Sequence, residues 1–173
     1  MDFLSVNEVL SNLNLKRTDT VAEFGCGSAS FALALAKILD KGRIYALDIQ
    51  EGKLSVLKNK MALEKLHNIK TMVGDVEAPG GSGLKNNFLD AVVIPNILFQ
   101  SKNRHGIMQE AGRVLKPEGE MLVVDWSKPV AFGPKENLAS PDEVKKIGHQ
   151  IGLSLKKEFA AGDYHYALLF VKI

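Results

Sequence analysis

Residues 20–30, with the sequence TVAEFGCGSAS, constrain the fold of this chain more than any other segment. A short apolar run carries an acidic residue, Glu23, near its end, and Gly25 and Gly27 follow. Because glycine has no Cβ, the backbone there can turn sharply and lie directly against a ligand. A helical pattern comes next, and we expect Ser28 to cap it, with the first free N–H groups pointing out of the turn. The segment therefore predicts a strand, a turn and a helix that together cradle a nucleotide.

Length and composition are those of an ordinary globular protein. The 173 residues suffice for one well-buried core, so we predict a single domain over residues 1–173. The net charge of +2 creates no strong field that would demand a nucleic-acid partner. Cys26 is the single cysteine, which excludes an internal disulfide, and the start Met-Asp-Phe-Leu does not have the pattern of a signal peptide. With no apolar run of membrane-spanning length, we expect a cytoplasmic protein without a membrane partner.

Extended apolar runs alternate along the chain with segments of helical period. Such alternation is typical of a parallel sheet with helices on its faces. The runs predicted as parallel strands are Thr20–Phe24, Arg43–Asp48, Ile69–Val73, 89–94 and 120–126. Two last runs, 153–159 and 164–172, are joined by so few residues that they must pair as an antiparallel hairpin. The predicted fold class is α/β: a Rossmann-like three-layer sandwich whose mostly parallel seven-stranded sheet ends in a C-terminal antiparallel hairpin.

Helices are predicted where apolar residues recur at helical spacing. The apolar stripes are Val6, Val9, Leu10 and Leu13; Phe31, Leu35, Ile38 and Leu39; Leu54, Leu57 and Met61; Ile107, Ala111 and Val114; and Val144, Ile147 and Ile151. Ser140, Pro141 and Glu143 fit an N-cap, a first-turn proline and a capping-box partner. We therefore expect the last helix to begin at this point of the chain.

Acidic residues at the strand ends indicate which nucleotide the cradle binds. The carboxylate of Glu23 would repel a pyrophosphate and attract the ammonium and sulfonium groups of S-adenosylmethionine. The dinucleotide fingerprint also asks for Gly or Ala where Ser30 stands. Asp48, about twenty residues beyond the glycines, suits the ribose of either cofactor. Asp75 follows the next strand, where an adenine amino group could bind. S-adenosylmethionine is favoured, and a nicotinamide cofactor stays open as the alternative.

These residues resemble the motifs of class I S-adenosylmethionine-dependent methyltransferases, among them the small domains of the ubiquinone and menaquinone type. The resemblance runs from about Val6 to the C-terminus. The segments that carry it are 21–28, 44–49, 74–77, 90–96 and 113–119, followed by the terminal hairpin. In the last of these segments Glu118 replaces the first of two glycines that the family often has. We expect a type I turn there, led by Pro117 and closed by Gly119.

The resemblance implies S-adenosylmethionine as the cofactor and assigns one part of it to each motif. Glu23 and the backbone of the glycine turn would hold the methionine portion, and Asp48 the ribose. Asp75 and Val76 would hold the adenine, while Pro95 and Asn96 would lie beside the methyl group. The whole implied cofactor-binding set is Glu23, Phe24, Gly25, Cys26, Gly27, Ser28, Asp48, Ile49, Asp75, Val76, Pro95 and Asn96.

The implied activity is in-line transfer of a methyl group to an unidentified small-molecule acceptor. Asn96, His105 and Asp125 are the candidate catalytic residues, because ligands of open parallel sheets bind beyond the carboxyl ends of the strands. Residues 127–139 could fold over this cleft. No group of side chains has the spacing of metal ligands, so no metal is predicted. Four alternatives stay open: a protein or nucleic-acid acceptor, a homodimer, an NAD-type oxidoreductase, and a non-catalytic S-adenosylmethionine-binding subunit.

Overall fold

A seven-stranded sheet forms the centre of the computed structural model, which describes residues 3–173. The strands are β1 (Thr20–Phe24), β2 (Arg43–Asp48), β3 (Ile69–Val73), β4 (Leu89–Pro95), β5 (Leu115–Trp126), β6 (Leu153–Ala161) and β7 (His165–Lys172). Their order across the sheet is β3-β2-β1-β4-β5-β7-β6. Neighbours among β1 to β5 pair in parallel, and β7 pairs antiparallel with both β5 and β6. The predicted parallel sheet with a C-terminal hairpin is confirmed.

Helices cover both faces of this sheet. They are α1 (Val6–Leu10), α2 (Ser30–Ile38), α3 (Glu51–Glu64), α4 (Arg104–Val114) and α5 (Pro141–Gln150), with a short 3₁₀ helix, η1 (Leu98–Gln100), after β4. Apolar side chains of α1, α2 and α3 share one core cluster, and those of α4 and α5 share the other. Because successive strand residues point to opposite faces, Val21 enters the first cluster and Ala22 the second. The result is the predicted three-layer sandwich.

The strand order places a crevice at the carboxyl edge of the sheet. β2 and β4 flank β1 on opposite sides, so the chain reverses its direction of travel across the sheet at β1. In open α/β sheets a ligand binds at such a reversal point, outside the carboxyl ends of the strands. The loops that follow β1 to β5 therefore meet around one space.

The start of α2 differs from the sequence prediction. Ser28 does not cap the helix; its Oγ lies 2.9 Å from the Oγ of Ser30. The N-cap is Ala29, which has a φ of 71° and makes no side-chain cap bond. The reason is that the glycine turn closes on itself, with the Ala29 N–H donating to the Cys26 carbonyl at 2.6 Å. At α5, by contrast, the predicted cap is confirmed, since Ser140 Oγ accepts from the Glu143 N–H at 3.2 Å.

The turn of residues 116–119, inside the first part of β5, also differs from the prediction. Glu118 has a φ of +62°, the sign that a type II turn requires at its third residue, so the expected type I turn is wrong. Glu118 thus takes the left-handed conformation of the glycine that it replaces. β5 begins earlier than expected because Leu115 already pairs with Leu89, before residues 116–119 bulge out and pairing resumes between Ala91 and Glu120.

Candidate functional site

A cavity of about 690 Å³ lies at the carboxyl edge of the sheet. Its wall includes most of the predicted cofactor-binding residues: Glu23, Gly25, Cys26, Gly27, Ser28, Asp48, Ile49, Asp75, Val76, Pro95 and Asn96. Phe24 is the exception, because it is fully buried in the core behind the turn. We call the part of the wall formed after β1, β2 and β3 the polar half; it contains residues 25–28 with Glu23, Asp48 and Asp75.

The glycine turn brings backbone close to the cavity. Gly25 and Gly27 have φ angles of 83° and 38°, in the left-handed region that favours glycine. The N–H groups of Gly25 and Cys26 both donate to the Leu47 carbonyl, at 2.8 and 3.1 Å, which ties the turn to the end of β2. A Cβ on Gly25 would collide with Cγ2 of Ile97. The turn can therefore hold this position only with glycine.

Two buried oxygens in the cavity wall have no donor. Glu23 is 1% exposed, and its Oε2 has no hydrogen-bond partner among the described residues. The same is true of Oδ1 of Asn96, which follows β4 with a φ of 53°. Leaving such acceptors unpaired in a protein interior is costly. An ammonium group has three N–H donors and a positive charge, so this pair of oxygens fits the amino end of S-adenosylmethionine.

The electrostatics of Glu23 point the same way. Burial raises the pKa of Glu23 well above its ordinary value; a hydrogen bond from the Ala32 backbone opposes this, and the nearby charge of Asp48 adds to it. A bound cation would favour the charged carboxylate again. Burial, followed by the charges of Glu23 and Asp48, also raises the pKa of the Cys26 thiol to about 12. Cys26 is therefore a small protonated residue of the turn, unsuited to act as a nucleophile.

Asp48 lies between the glycine turn and α3. Its Oδ1 accepts from the Gln50 N–H at 2.9 Å, and its Oδ2 accepts from the Gly27 N–H at 3.4 Å. A carboxylate has about four lone-pair sites, so Asp48 keeps acceptor capacity for the two hydroxyls of a ribose. Beside it, Ile49 is 64% exposed in the cavity wall and can cover a flat ring.

Asp75 and Val76 form the far end of the polar half. Asp75 is exposed, and its Oδ1 accepts from the Glu77 N–H at 3.0 Å. Val76 is partly buried against the second core cluster. This arrangement offers one polar and one apolar contact to a flat ligand.

A buried ion pair holds the glycine-rich loop beyond Asp75, and sequence reasoning missed it. The side chain of Glu110 is 1% exposed and pairs with Arg113 at 2.6 Å. Its carboxylate also accepts from the Gly80 N–H, the Ser82 N–H and the Ser82 hydroxyl. Burial alone would raise the pKa of Glu110, but the bonds from Arg113, Ser82 and Gly80 together lower it to about 2. Glu110 and Arg113 stand three residues apart on α4, a spacing at which acidic and basic side chains can pair, and this spacing could have suggested the pair.

The other part of the cavity is apolar and rich in rings. We call it the aromatic half, and it consists of Phe3, Leu4, Val6, Ile97, Phe99 and Trp126. The Trp126 ring makes edge contacts with Phe3 and with Phe99, at centroid distances of 6.0 and 6.5 Å. His165 lies behind Trp126, 4.3 Å from it between centroids. No sequence pattern indicates that Phe3 joins this wall.

The three candidate catalytic residues occupy different places. Asn96 lines the cavity. His105 is an exposed residue in the first turn of α4 and is not part of the cavity wall. Asp125 is fully buried behind the wall, where its carboxylate accepts from the N–H groups of Leu98, Phe99 and Trp126. Burial raises the pKa of Asp125 to about 6, although these hydrogen bonds oppose the rise. The structure thus brings only Asn96 of the three to the cavity.

The described part of the chain, residues 3–173, contains no group of three or more His, Cys, Asp or Glu side chains placed to hold a metal ion. None of its helices has both the length and the apolarity needed to cross a membrane.

Comparison with known proteins assigns the family. The profile of the methyltransferase domain family matches residues 15–160. The chain belongs to this family. A crystal structure of a SAM-dependent methyltransferase from Aquifex aeolicus superposes with a TM-score of 0.88 at 23% identity, over 98% of this chain and 90% of that one, which confirms the fold. Family and fold together confirm the predicted resemblance to the class I S-adenosylmethionine-dependent methyltransferases.

Curated relatives are longer than this chain. A demethylmenaquinone methyltransferase of Geobacillus stearothermophilus is 29% identical over 128 residues, which are 73% of this chain and 53% of that protein. A demethylmenaquinone methyltransferase of Bacillus cereus is 27% identical over 128 residues, 73% of this chain and 52% of that protein. The chain therefore spans about half the length of the curated relatives that it matches.

Proposed function

We propose that the chain methylates a flat, uncharged small molecule bound in the aromatic half, with S-adenosylmethionine in the polar half. The observation that carries the proposal is the pair of unpartnered buried oxygens, Glu23 Oε2 and Asn96 Oδ1, beside a wall of aromatic rings. The oxygens fit a cation, and the rings fit an apolar ring system. One cavity therefore offers two chemically different subsites side by side.

In this proposal the polar half holds the cofactor along its length. Glu23 and Asn96 accept from the amino group, and the glycine turn lies against the methionine portion. Asp48 accepts from the ribose hydroxyls, and Asp75 with Val76 contacts the adenine. Bound S-adenosylmethionine supplies an activated methyl group on a sulfonium that leaves as a thioether. The strand ends hold the polar half, and with it the bound cofactor, in one position relative to the aromatic half.

The residues of the aromatic half contribute mainly by alignment. None of the six has a titratable side chain, so the acceptor must be a good nucleophile that needs no general base from this wall. Holding two reactants in line can supply roughly 7 to 11 kcal/mol of the barrier reduction. The apolar rings also exclude water from the point of transfer. We therefore assign no general base to Asn96, His105 or Asp125.

The names of the relatives support a specific acceptor class. They are demethylmenaquinone methyltransferases, and a quinone has a flat ring system. Phe99 and Trp126 offer ring surfaces of suitable character. We extend the proposal to the whole chain as one domain that acts in the cytoplasm. A homodimer stays a prediction.

The proposal can be tested by incubating the chain with S-adenosylmethionine and reduced demethylmenaquinone and measuring S-adenosylhomocysteine. We expect product that depends on both compounds and is abolished in Asp48→Ala. Tight binding of S-adenosylhomocysteine without any acceptor-dependent turnover would contradict the proposed acceptor. It would favour the alternative of a non-catalytic cofactor-binding subunit.

A further inference from the structure

The loop of residues 96–100 contributes both Asn96 and Phe99 to the cavity wall, and we call it the β4 loop. Its backbone amides are bound by a side chain from another strand. Oδ2 of Asp125, at the end of β5, accepts from the N–H of Leu98 at 2.9 Å and from that of Phe99 at 3.3 Å. These bonds fix the backbone N–H group of Phe99, whose ring is part of the aromatic half.

The carbonyl side of the same two residues is bound by two other side chains. Arg104 Nε, from the first turn of α4, donates to the Leu98 carbonyl at 3.0 Å. Asn137 Nδ2, from the segment between β5 and α5, donates to the Phe99 carbonyl at 2.6 Å. Both backbone polar groups of Phe99 therefore bind side chains that are remote in sequence, whereas the Leu98 carbonyl also accepts from the Ser101 N–H at 3.2 Å.

These side chains are also bound to one another. Arg104 Nη2 donates to Oδ1 of Asn137 at 3.0 Å, and Arg104 Nη1 pairs with Glu143 of α5 at 2.7 Å. The Arg104 side chain is only 12% exposed. Fixing a long arginine side chain costs up to about 2 kcal/mol of conformational entropy. A short 3₁₀ helix can form with its own backbone hydrogen bonds alone. The side-chain network is therefore not needed to form η1 and must have a further role.

We propose that Arg104, Asn137 and Asp125 form a polar clamp that positions the Phe99 ring against the methyl acceptor. The inference rests on the proposed function, because it takes the aromatic half as the acceptor subsite. Phe99 meets Trp126 edge-on at 6.5 Å and 85°, a geometry that a shift of the β4 loop would destroy. Arg104, Asn137 and Asp125 are positioning residues, since none of them lines the cavity.

The clamp is separable from the cofactor contacts. Asn96 is held by other bonds: its N–H donates to the Val124 carbonyl at 2.8 Å, and its own carbonyl accepts from Gln100 Nε2 at 2.9 Å. Weakening the clamp should therefore move Phe99 and leave Asn96 in place. Acceptor binding should fall while cofactor binding stays unchanged.

The test uses two conservative variants of the full chain. Asn137→Asp removes the donor to the Phe99 carbonyl but keeps an oxygen for Arg104. Arg104→Lys keeps the charge but loses the planar fork that reaches several acceptors at once. Gln109→Glu is the matched control, because it makes the same amide-to-acid change on an exposed position of α4.

Three quantities are measured for each variant in the presence of S-adenosylhomocysteine. They are the hydrogen exchange of the Leu98 and Phe99 amides, the Kd of 1-naphthol as a flat-ring probe, and the Kd of S-adenosylhomocysteine itself. We expect both clamp variants to speed exchange and to weaken 1-naphthol about fivefold each, the effect of one lost hydrogen bond. The Kd of S-adenosylhomocysteine should stay within about twofold of the wild-type value.

Two results would overturn the clamp. One is unchanged exchange at Leu98 and Phe99 in both variants. The other is a loss of S-adenosylhomocysteine affinity equal to the loss for 1-naphthol, which would indicate general destabilisation. If the wild-type chain does not bind 1-naphthol at all, the proposed acceptor class is wrong, and the exchange result alone then decides whether the clamp exists.

Discussion

The two halves of the cavity are built in different ways. The polar half stands on strand ends: Glu23 lies within β1, Asp48 ends β2, and Asp75 comes just after β3. The aromatic half gathers Phe3 from before α1, Phe99 from η1 and Trp126 from the end of β5. Cofactor chemistry is thus encoded in short local motifs, while the surface offered to the acceptor depends on packing between distant segments.

This difference predicts how each half responds to change. Residues of the polar half are held by the sheet register and should alter cofactor affinity one by one. Residues of the aromatic half are held by one another and by side chains behind them. The first substitution below tests the ion pair behind the glycine-rich loop, and the other three separate the halves; the largest expected effects come first.

Glu110→Gln should cost the most, about 3 kcal/mol of unfolding free energy, because it leaves Arg113 without its buried partner. Urea unfolding measures this, and Glu64→Gln is the control, since its pairing with Lys37 is exposed and such pairs contribute less than about 1 kcal/mol.

The pH dependence provides a further check on Glu110. Its pKa is about 2 in the folded chain, below the ordinary 4.5. The contribution of ionised Glu110 to the free energy of unfolding is therefore fully present above pH 4.5, and it is lost as the pH falls towards 2. An equally steep acid loss in Glu110→Gln would contradict the assignment.

Asp48→Ala should weaken S-adenosylhomocysteine by about 3 kcal/mol, roughly two powers of ten in Kd, because two charge-assisted bonds to the ribose are lost. Calorimetric titration measures the change. Asp142→Ala is the control, since this side chain is 92% exposed on α5. Unchanged affinity in Asp48→Ala would show that the ribose lies elsewhere.

Glu23→Gln should weaken S-adenosylhomocysteine by about 1.5 kcal/mol, the effect of one bond to a charged group. The pKa of Glu23 is raised in the free chain, so a proton should leave on binding, and affinity should fall as pH drops through that pKa. Titrations in buffers of different ionisation enthalpy measure this proton, which the variant should not release.

The same substitution should make the cofactor-free chain more stable. A buried carboxylate with a raised pKa lowers the free energy of unfolding as the pH rises above the ordinary pKa of a glutamate. This loss is complete once the pH exceeds the raised pKa. Glu23→Gln removes that loss. At pH values above the raised pKa, the Tm of the variant without cofactor should therefore exceed that of the wild type. A lower Tm would indicate that the buried oxygen has a partner in solution.

Phe99→Leu should have the smallest effect, about 1 kcal/mol, which is the size of an aromatic pair contribution. We expect 1-naphthol to bind about fivefold more weakly and S-adenosylhomocysteine to bind unchanged. Phe88→Leu is the matched control, because Phe88 contacts Tyr45 outside the cavity. An effect on both ligands would mean that the halves are not independent.

Much of the fold follows from the sequence for simple physical reasons. β1, β2 and β3 have the predicted bounds, because each of these strands ends at an acidic residue or directly before a glycine. The errors at Ser28 and Glu118 lie in turns. There a single left-handed residue, Ala29 or Glu118 itself, decides the geometry, and no side-chain pattern announces it.

The polar half of the site follows more directly from the sequence than the aromatic half does. Motif residues around Glu23, Asp48 and Asp75 reach the cavity together because neighbouring strands place them there. Phe3 and the clamp residue Asn137 could not be found in this way, because their roles depend on contacts across the whole fold. His105 shows the converse, since its proximity to the fourth strand in sequence does not bring it to the cavity.

A crystal structure of the chain with S-adenosylhomocysteine tests the central claim most directly. We predict the amino group within hydrogen-bond distance of Glu23 Oε2 and Asn96 Oδ1, the ribose on Asp48, the adenine beside Asp75, and the sulfur facing the aromatic half. The opposite orientation, with the adenine at Glu23 and the amino group at Asp75, would contradict the account.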